Sequence, residues 1–249
     1  MKKIIFAVAA VLIFTACKKN KTEEPSPTPV VAVPKVKTFT IGGDAVNYTY
    51  DALGRLLTRV SPSGNWKSEF TYSGNAVTEN YYVGTTLSTT KVLELNADGF
   101  VVKEGYTFPT TAVPYKSVYT YNANKQLQTK VSSNTINSNG STETYFYTGA
   151  MLDSIRTSFS QNNDLYRFIY AYYTDKENSI AYKNQGYLFW FETAAMPLKK
   201  RTAIFKTNGF FNTQVDDYTY NYDAQNRIIK RTITMVGGST PSVNGITYY

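Results

Sequence analysis

The sequence predicts an all-β fold: an antiparallel meander of about 14–17 strands that forms a curved or barrel-like sheet, with one short helix near residues 186–195. Segments of alternating apolar residues that end in a turn recur along the chain, which is the pattern of β-hairpins. The chain of 249 residues contains 22 tyrosines, a residue type that is enriched in strands. Its one cysteine is Cys17, so the folded part must be stabilised by packed apolar and aromatic surface instead of disulfides.

Residues 1–16 have the features of a bacterial lipoprotein signal peptide. Two lysines form a basic start, and the apolar run after them has about a dozen residues, too few for a membrane-spanning helix, which needs roughly 20. Residues 14–17, Phe-Thr-Ala-Cys, resemble the lipobox at which such proteins are cut and acylated, with phenylalanine in place of the usual leucine. We therefore expect removal of residues 1–16 and lipidation of Cys17, palmitate included. The alternatives are a non-lipidated signal peptide and an uncleaved anchor.

Residues 17–36 are predicted to be a tether between the lipid on Cys17 and the folded domain. Four prolines between residues 25 and 34 favour extended polyproline geometry, at roughly 3.1 Å per residue. Lys18 stands where lipoproteins of the enteric type that stay in the inner membrane carry an aspartate. The sequence therefore predicts a lipid-anchored protein of the outer membrane and leaves its leaflet, periplasmic or surface, open.

The repetitive β domain, residues 37–249, is organised by a corner unit that recurs four times. Its copies are residues 48–56, 93–101, 119–127 and 220–228. Each copy alternates apolar residues as a half-buried strand does, and then has an Asp or Asn whose side chain can bond its own turn. Three positions later the chain has glycine or asparagine, which tolerate the positive φ of a type I turn with a G1 bulge. Lys125, in the third copy, is the exception.

Weaker copies complete the repeat, with corner residues Ser73, Thr148 and Thr174. Neighbouring corners lie about 25 positions apart, which is enough for two strands and two turns. An open sheet of this length would curl or close, because twist accumulates along it and exposed edges are unfavourable.

Residues 186–197 interrupt the repeat. They contain five consecutive large apolar residues, which suit a short helix buried on most sides, and they end at Pro197, which stops a helix. Two hypotheses stay open for this segment. It is either a plug packed against the inner face of the sheet, or an aromatic platform of Tyr187, Phe189 and Trp190 that binds a ligand.

Two resemblances rest on these motifs. Residues 48–56, Tyr-Thr-Tyr-Asp-Ala-Leu-Gly-Arg-Leu, resemble the YD repeat of RHS-type shell proteins. The apolar short helix, the Leu198-Lys199-Lys200 stretch and the tyrosine-rich strand at 218–223 together resemble uncharacterised bacterial envelope lipoproteins that carry a domain of unknown function with a porin-like fold. The likeness covers most of residues 38–249. It implies a many-stranded, curved or barrel-shaped sheet and no activity.

The outward-facing positions of the predicted strands disfavour a barrel that spans the membrane. Asn47, Thr49, Thr120 and Asn221 would be poor partners for lipid, whereas transmembrane barrels have an apolar outer band. The terminal aromatic residue, Tyr249, fits a barrel-assembly signal, but the alternate residues before it are not apolar.

Composition excludes several kinds of activity. The chain has no histidine, which removes His-based triads and most catalytic zinc sites. From residue 35 onward, 21 basic and 16 acidic residues are scattered, unlike the clustered charge of a nucleic-acid binder, and Lys199–Arg201 is interpreted as a solvated strand edge. The catalytic possibility that remains is a carboxylate pair of the glycoside-hydrolase kind, with Glu143, Glu192, Asp216 and Asp217 as candidates. The alternative interpretation is that these residues face solvent on strands and turns. We expect neither an enzyme nor a cofactor.

Two functions are compatible with these features. The first is a structural or protein-interaction role for a lipid-anchored cell-envelope protein, with most tyrosines in the core. The second is binding of a glycan or small ligand by an exposed aromatic surface at Tyr187, Phe189 and Trp190. The expected partners are the membrane, through the lipid on Cys17, and a glycan or an envelope protein, and not nucleic acid.

Overall fold

The computed structural model describes residues 34–41, 43–108, 111–134, 140–160, 165–181, 196–207, 210–238 and 240–249. These residues form sixteen β-strands. The strands are β1 Val36–Ile41, β2 Asp44–Tyr50, β3 Leu56–Ser61, β4 Trp66–Ser73, β5 Ala76–Val83, β6 Thr86–Leu95, β7 Val101–Phe108, β8 Thr111–Tyr121, β9 Leu127–Asn134, β10 Gly140–Thr148, β11 Met151–Phe159, β12 Leu165–Tyr172, β13 Leu198–Thr207, β14 Phe210–Tyr222, β15 Ile228–Met235 and β16 Ser242–Tyr248.

The sixteen strands close into one antiparallel barrel in chain order. Each strand pairs with its sequence neighbours, and β16 pairs back with β1, where Phe39 lies opposite Ile246. The predicted meander and its barrel-like closure are confirmed. Within the described ranges there is no helix, and hence none long and apolar enough to cross a membrane. The short helix predicted near residues 186–195 lies outside the described residues.

The four strong corner units form the turns that the sequence predicts. At the first, the backbone N–H groups of Leu53 and Arg55 both donate to Oδ1 of Asp51, at 2.9 Å each. Asn96, Asn122 and Asp223 accept the same pair of bonds in their own turns. Lys125 takes the corner conformation with a φ of 61° in spite of its side chain. The Asp or Asn therefore organises the turn even where the glycine position is occupied by lysine.

The weaker corners differ from one another. Gly74 and Gly149 have positive φ values in tight hairpins after Ser73 and Thr148. The corner predicted at Thr174 is wrong: β12 ends at Tyr172, and the described residues that follow it, 173–181, form no strand and hence no hairpin with it.

A ring of tyrosines lines one end of the barrel, and each of them bonds the end of an even-numbered strand to the start of the strand that precedes it in the sheet. Each hydroxyl donates to the carbonyl oxygen of a residue at or next to the start of an odd-numbered strand. The pairs are Tyr50 to Val36 (2.6 Å), Tyr72 to Leu56 (2.8 Å), Tyr121 to Val101 (2.7 Å), Tyr172 to Leu152 (2.9 Å), Tyr220 to Leu198 (2.8 Å) and Tyr248 to Ile228 (2.8 Å). Buried phenols need such partners. The ring, called the tyrosine ring below, gives a structural role to many of the tyrosines that the corner units contain.

Side chains fill this end of the barrel, which is called the closed end below. Leu56, Leu127 and Ile228 are fully buried there, and Ile180, from the connection after β12, packs among them. The Oγ atom of Ser179 accepts the backbone N–H of Ile228 at 2.7 Å and lies 2.8 Å from the hydroxyl of Tyr248. Residues 179–181 thus occupy the inside of the barrel at the end where the chain enters β1.

The outer wall is polar at the positions that were predicted to face outward. Asn47, Thr49, Thr120 and Asn221 are all exposed. Threonine hydroxyls meet across neighbouring strands on this wall, at 2.7 Å for Thr49 and Thr58 and at 2.6 Å for Thr120 and Thr129. Transmembrane barrels have an apolar band at such positions. These four positions are therefore suited to water and not to lipid.

Candidate functional site

Basic and acidic side chains alternate around the inner face of the barrel, beyond the tyrosine ring. They lie on inward positions because side chains alternate between the two faces of a strand. We call this set the charge belt; it consists of Arg59, Glu79, Lys91, Glu104, Lys130, Glu143, Arg201, Asp216 and Arg231.

The belt is continuous across β3 to β8. Arg59 donates to Oε1 of Glu79 at 2.7 Å, and Nζ of Lys91 lies 3.2 Å from Oε2 of the same glutamate. Lys91 also lies 3.7 Å from Oε1 of Glu104, whose two carboxylate oxygens accept bonds from the hydroxyls of Tyr106 and Tyr119. Each buried carboxylate therefore has basic or hydroxyl partners that offset the cost of removing it from water.

This network sets the ionisation of its members. Burial by itself would raise the pKa of Glu79, but Lys91 and Arg59 outweigh that effect and hold it below its usual range. Burial and the hydrogen bond to Glu104 raise the pKa of Tyr119. At neutral pH the lumen therefore presents an ionised carboxylate and protonated phenols.

A cavity of about 290 Å³ opens onto this network at the end of the barrel opposite the closed end. We call it the lumen pocket; it is lined by Arg59, Glu79, Tyr81, Thr89, Lys91, Tyr106 and Phe108. Trp66 extends its aromatic side, with its ring 6.0 Å from that of Tyr81. Apolar walls with a few fixed polar groups are the usual composition of a small-molecule site.

The remaining belt residues pair within the barrel wall. Nζ of Lys130 lies 3.8 Å from Glu143, and Nε of Arg201 donates to Oδ2 of Asp216 at 2.9 Å. Two of the predicted carboxylate candidates, Glu143 and Asp216, are thus inward ion-pair partners, so their solvent-facing interpretation is wrong. Asp217 faces outward, 3.7 Å from Lys200. Of the predicted strand edge at 199–201, the two lysines are exposed and the arginine points inward.

The other predicted site residues lie outside the described residues: Cys17, Tyr187, Phe189, Trp190 and Glu192. The lumen pocket was missed at the sequence level, because its residues come from four strands and share no motif. One signal was present: Lys91 alternates with Leu93 and Leu95, which places a charge on the apolar face of β6. Within the described part of the chain, no group of acidic residues could hold a metal ion.

Comparison with known proteins identifies the fold. Neither a protein-family model nor a curated protein matches the sequence. The crystal structure of a porin-like protein from Bacteroides uniformis ATCC 8492 matches 83% of this chain and 91% of its own, with a TM-score of 0.59 and 11% identity. A porin-like protein from Bacteroides vulgatus ATCC 8482 matches 87% of this chain and 99% of its own, with a TM-score of 0.61 and 12% identity. The porin-like barrel fold implied by the second sequence resemblance is confirmed.

Proposed function

We propose that this chain is a lipid-anchored protein of the cell envelope whose porin-like barrel binds a small polar ligand of the saccharide class in the lumen pocket. The observation that carries the proposal is the combination of Tyr81, Tyr106 and Phe108 with the Arg59–Glu79–Lys91 network around one cavity. Flat aromatic faces pack against the C–H faces of sugar rings. Ionised groups beside them supply the directional bonds to hydroxyls that fix a ligand in place.

The pocket is organised before a ligand arrives. Glu79 is 7% exposed and is held from two sides, by Arg59 at 2.7 Å and by Lys91 at 3.2 Å. The ring of Tyr106 lies 5.0 Å from Nζ of Lys91. Groups that are already fixed lose less conformational entropy on binding, so a modest cavity can still bind with useful affinity.

Binding without catalysis fits the ionisation of the pocket. A glycoside hydrolase needs one carboxylic acid that stays protonated as the general acid. The pKa of Glu79 is lowered, which leaves it without a proton at neutral pH. The pocket thus favours a binding protein over a hydrolase.

Anchoring by a lipid on Cys17 fits the barrel better than insertion of its strands. The outer wall carries exposed threonine and asparagine at the positions named above, and side chains fill the closed end. β1 begins at that closed end, where the N–H of Tyr249 donates to the carbonyl of Lys35 at 3.1 Å. The proposed location is the outer membrane, with the lipid on Cys17 as the attachment.

A calorimetric titration of the purified full chain against a panel of neutral and acidic oligosaccharides tests the proposal. The chain with Trp190→Phe provides a second readout, because Trp66 is then its one tryptophan and the Trp66 ring adjoins the pocket wall. We expect at least one saccharide class to release or absorb heat with saturation and to change the fluorescence of Trp66. Flat titrations across the panel would reject saccharide binding.

A structural or protein-interaction role is the second candidate, and exposed apolar residues at the end of the barrel opposite the closed end favour it. Phe210 and Phe211 are 74% and 65% exposed, and Val236 is 61% exposed. Photo-crosslinking in cells from position 210 tests this role, with the outward Thr219 as the control position. A discrete protein adduct at 210 alone supports it, and equal labelling at both positions contradicts it.

A further inference from the structure

Two arginines face each other across neighbouring strands of the outer wall. Arg156 of β11 lies directly opposite Arg167 of β12, and both side chains are exposed. Directly opposite side chains have Cβ atoms about 4.5–5.5 Å apart, and two like charges at that distance destabilise a sheet. Among the strand registers that the structure describes, this is the one pairing of two like charges.

Other charged pairs on the outer wall are complementary. Lys103 lies opposite Glu94 with a separation of 2.9 Å, and Lys200 lies opposite Asp217 with a separation of 3.7 Å. Within the described ranges, neither Arg156 nor Arg167 has a carboxylate within 4.0 Å. A local rule that is obeyed elsewhere and broken at one place indicates a functional position.

The arginine pair lines a groove of about 490 Å³ on the outside of the barrel. Its other lining residues are Phe146, Leu165, Ser154 and Asp153. Phe146 is 46% exposed and gives the groove an apolar side next to the two guanidinium groups. The groove thus combines an apolar surface with two arginines that form no ion pair with the described residues.

We propose that the Arg156–Arg167 groove binds a phosphate group, either free or as the headgroup of a lipid. Each guanidinium offers a planar fork of N–H donors that fits two phosphate oxygens. A phosphate monoester carries about −1.5 to −2 charges at neutral pH, which matches the two arginines. Bound phosphate would remove the repulsion across the strands. Asp153 opposes this binding and sets its strength.

This site is independent of the lumen pocket. It lies on the outer face of β11 and β12, whereas the pocket lies on the inner face of β3 to β7. Loss of phosphate binding would leave the saccharide proposal intact, and the reverse also holds.

Calorimetry of the full chain with inorganic phosphate, against sodium chloride of equal ionic strength, tests the proposal. We expect saturable binding that Arg156→Thr and Arg167→Thr each weaken by about tenfold or more, because each removes one guanidinium fork. Threonine is the replacement because it is common on this wall and keeps the strand. Asp153→Asn should tighten binding severalfold. Lys116→Thr, another outward cation, is the control and should leave it unchanged.

Thermal unfolding supplies the second readout. In chloride, Arg156→Thr should unfold at the same temperature as the wild type or higher, because it relieves the like-charge contact. Phosphate should raise the unfolding temperature of the wild type and leave that of Arg156→Thr unchanged. Absence of phosphate binding in the wild type, or equal binding in the arginine variants, would overturn the proposal.

A vesicle arm distinguishes the two sources of phosphate. It uses the full chain with Cys17→Ser, because a lipid at that position would itself bind vesicles. Arginine-dependent binding to vesicles that contain phosphatidic acid, whose headgroup is a phosphate monoester, and not to phosphatidylcholine vesicles, would identify a lipid headgroup. Binding of inorganic phosphate without binding to either vesicle would identify free phosphate.

Discussion

Lys91 and Glu79 lie directly opposite each other on the inner faces of β6 and β5, with 3.2 Å between Nζ and Oε2. The same Nζ lies 3.7 Å from Glu104 on the other neighbouring strand. One cation therefore serves two carboxylates that are each less than a tenth exposed. This arrangement holds the wall of the lumen pocket in place.

Lys91→Met should lower the free energy of unfolding by about 3 kcal/mol at pH 7, because it leaves buried carboxylates without their shared cation. The folded state lowers the pKa of Glu79 below 4.5, so the stability that it contributes is present above about pH 4.5 and lost as the pH falls through the folded value. The difference between the variant and the wild type should therefore shrink in acid. Urea unfolding at a series of pH values measures it.

Lys103→Met is the matched control. Lys103 and Glu94 form an exposed pair on the outer wall, and such pairs contribute about 0–1 kcal/mol. A loss in the control as large as that in Lys91→Met would contradict the role of the charge belt.

Tyr72→Phe should destabilise the protein by about 1–2 kcal/mol, because the carbonyl of Leu56 loses the hydroxyl that donates to it at 2.8 Å. Burial raises the pKa of Tyr72 to about 12, so its phenol stays protonated in the folded state above pH 10, where the unfolded phenol ionises. The wild type should lose this advantage as the pH rises from 10 toward 12. Thermal unfolding at pH 7 and pH 11 measures both effects. Tyr82→Phe, on the outer wall, should change little.

Lys125→Gly should stabilise the protein by about 0.5–1 kcal/mol. Lys125 holds a φ of 61°, which costs a residue with a Cβ about 1 kcal/mol, and its ion pair with Asp98 is exposed. Gly99→Ala, at the same place in another corner, is the reverse change: its φ is 83° and an added Cβ would meet nothing within 4 Å. Its unfolding free energy should fall by a similar amount. If both substitutions change the unfolding free energy in the same direction, the backbone explanation is rejected.

Ile180→Ala should cost about 2–3 kcal/mol, because Ile180 packs in the core at the closed end and its removal leaves a cavity. Val243→Ala, on the exposed side of β16, should cost less than about 0.5 kcal/mol. Chemical denaturation of both variants measures the difference. A cost at Ile180 no larger than that at Val243 would show that residues 179–181 do not fill the barrel in solution.

The strand count and the corners could be predicted because they depend on neighbouring residues. Asp51 bonds Leu53 and Arg55 within its own turn, so the motif carries the geometry. Thr174 failed as a corner although tyrosines precede it and Asp175 follows it, as in the repeat. The chain after it packs Ser179 and Ile180 inside the barrel against Ile228 and Tyr248, and a local motif does not contain such distant contacts.

The lumen pocket and the Arg156–Arg167 groove could not be predicted, because both depend on strand register. Glu79, Lys91 and Tyr106 meet only when three strands pair correctly, and a shift of one residue would turn each side chain to the other face. The same holds for Arg156 and Arg167.

Tyr81 and Tyr82 provide the most direct test of ligand binding in the lumen. Tyr81 lines the pocket, whereas Tyr82, its neighbour in the chain, lies on the outer wall with Lys67 4.6 Å from its ring. The measurement is the dissociation constant of the best saccharide from the panel for the wild type, Tyr81→Ala and Tyr82→Ala. Binding in the pocket predicts a loss of about tenfold or more for Tyr81→Ala and no change for Tyr82→Ala. Equal affinities of all three proteins, or a loss confined to Tyr82→Ala, would contradict it.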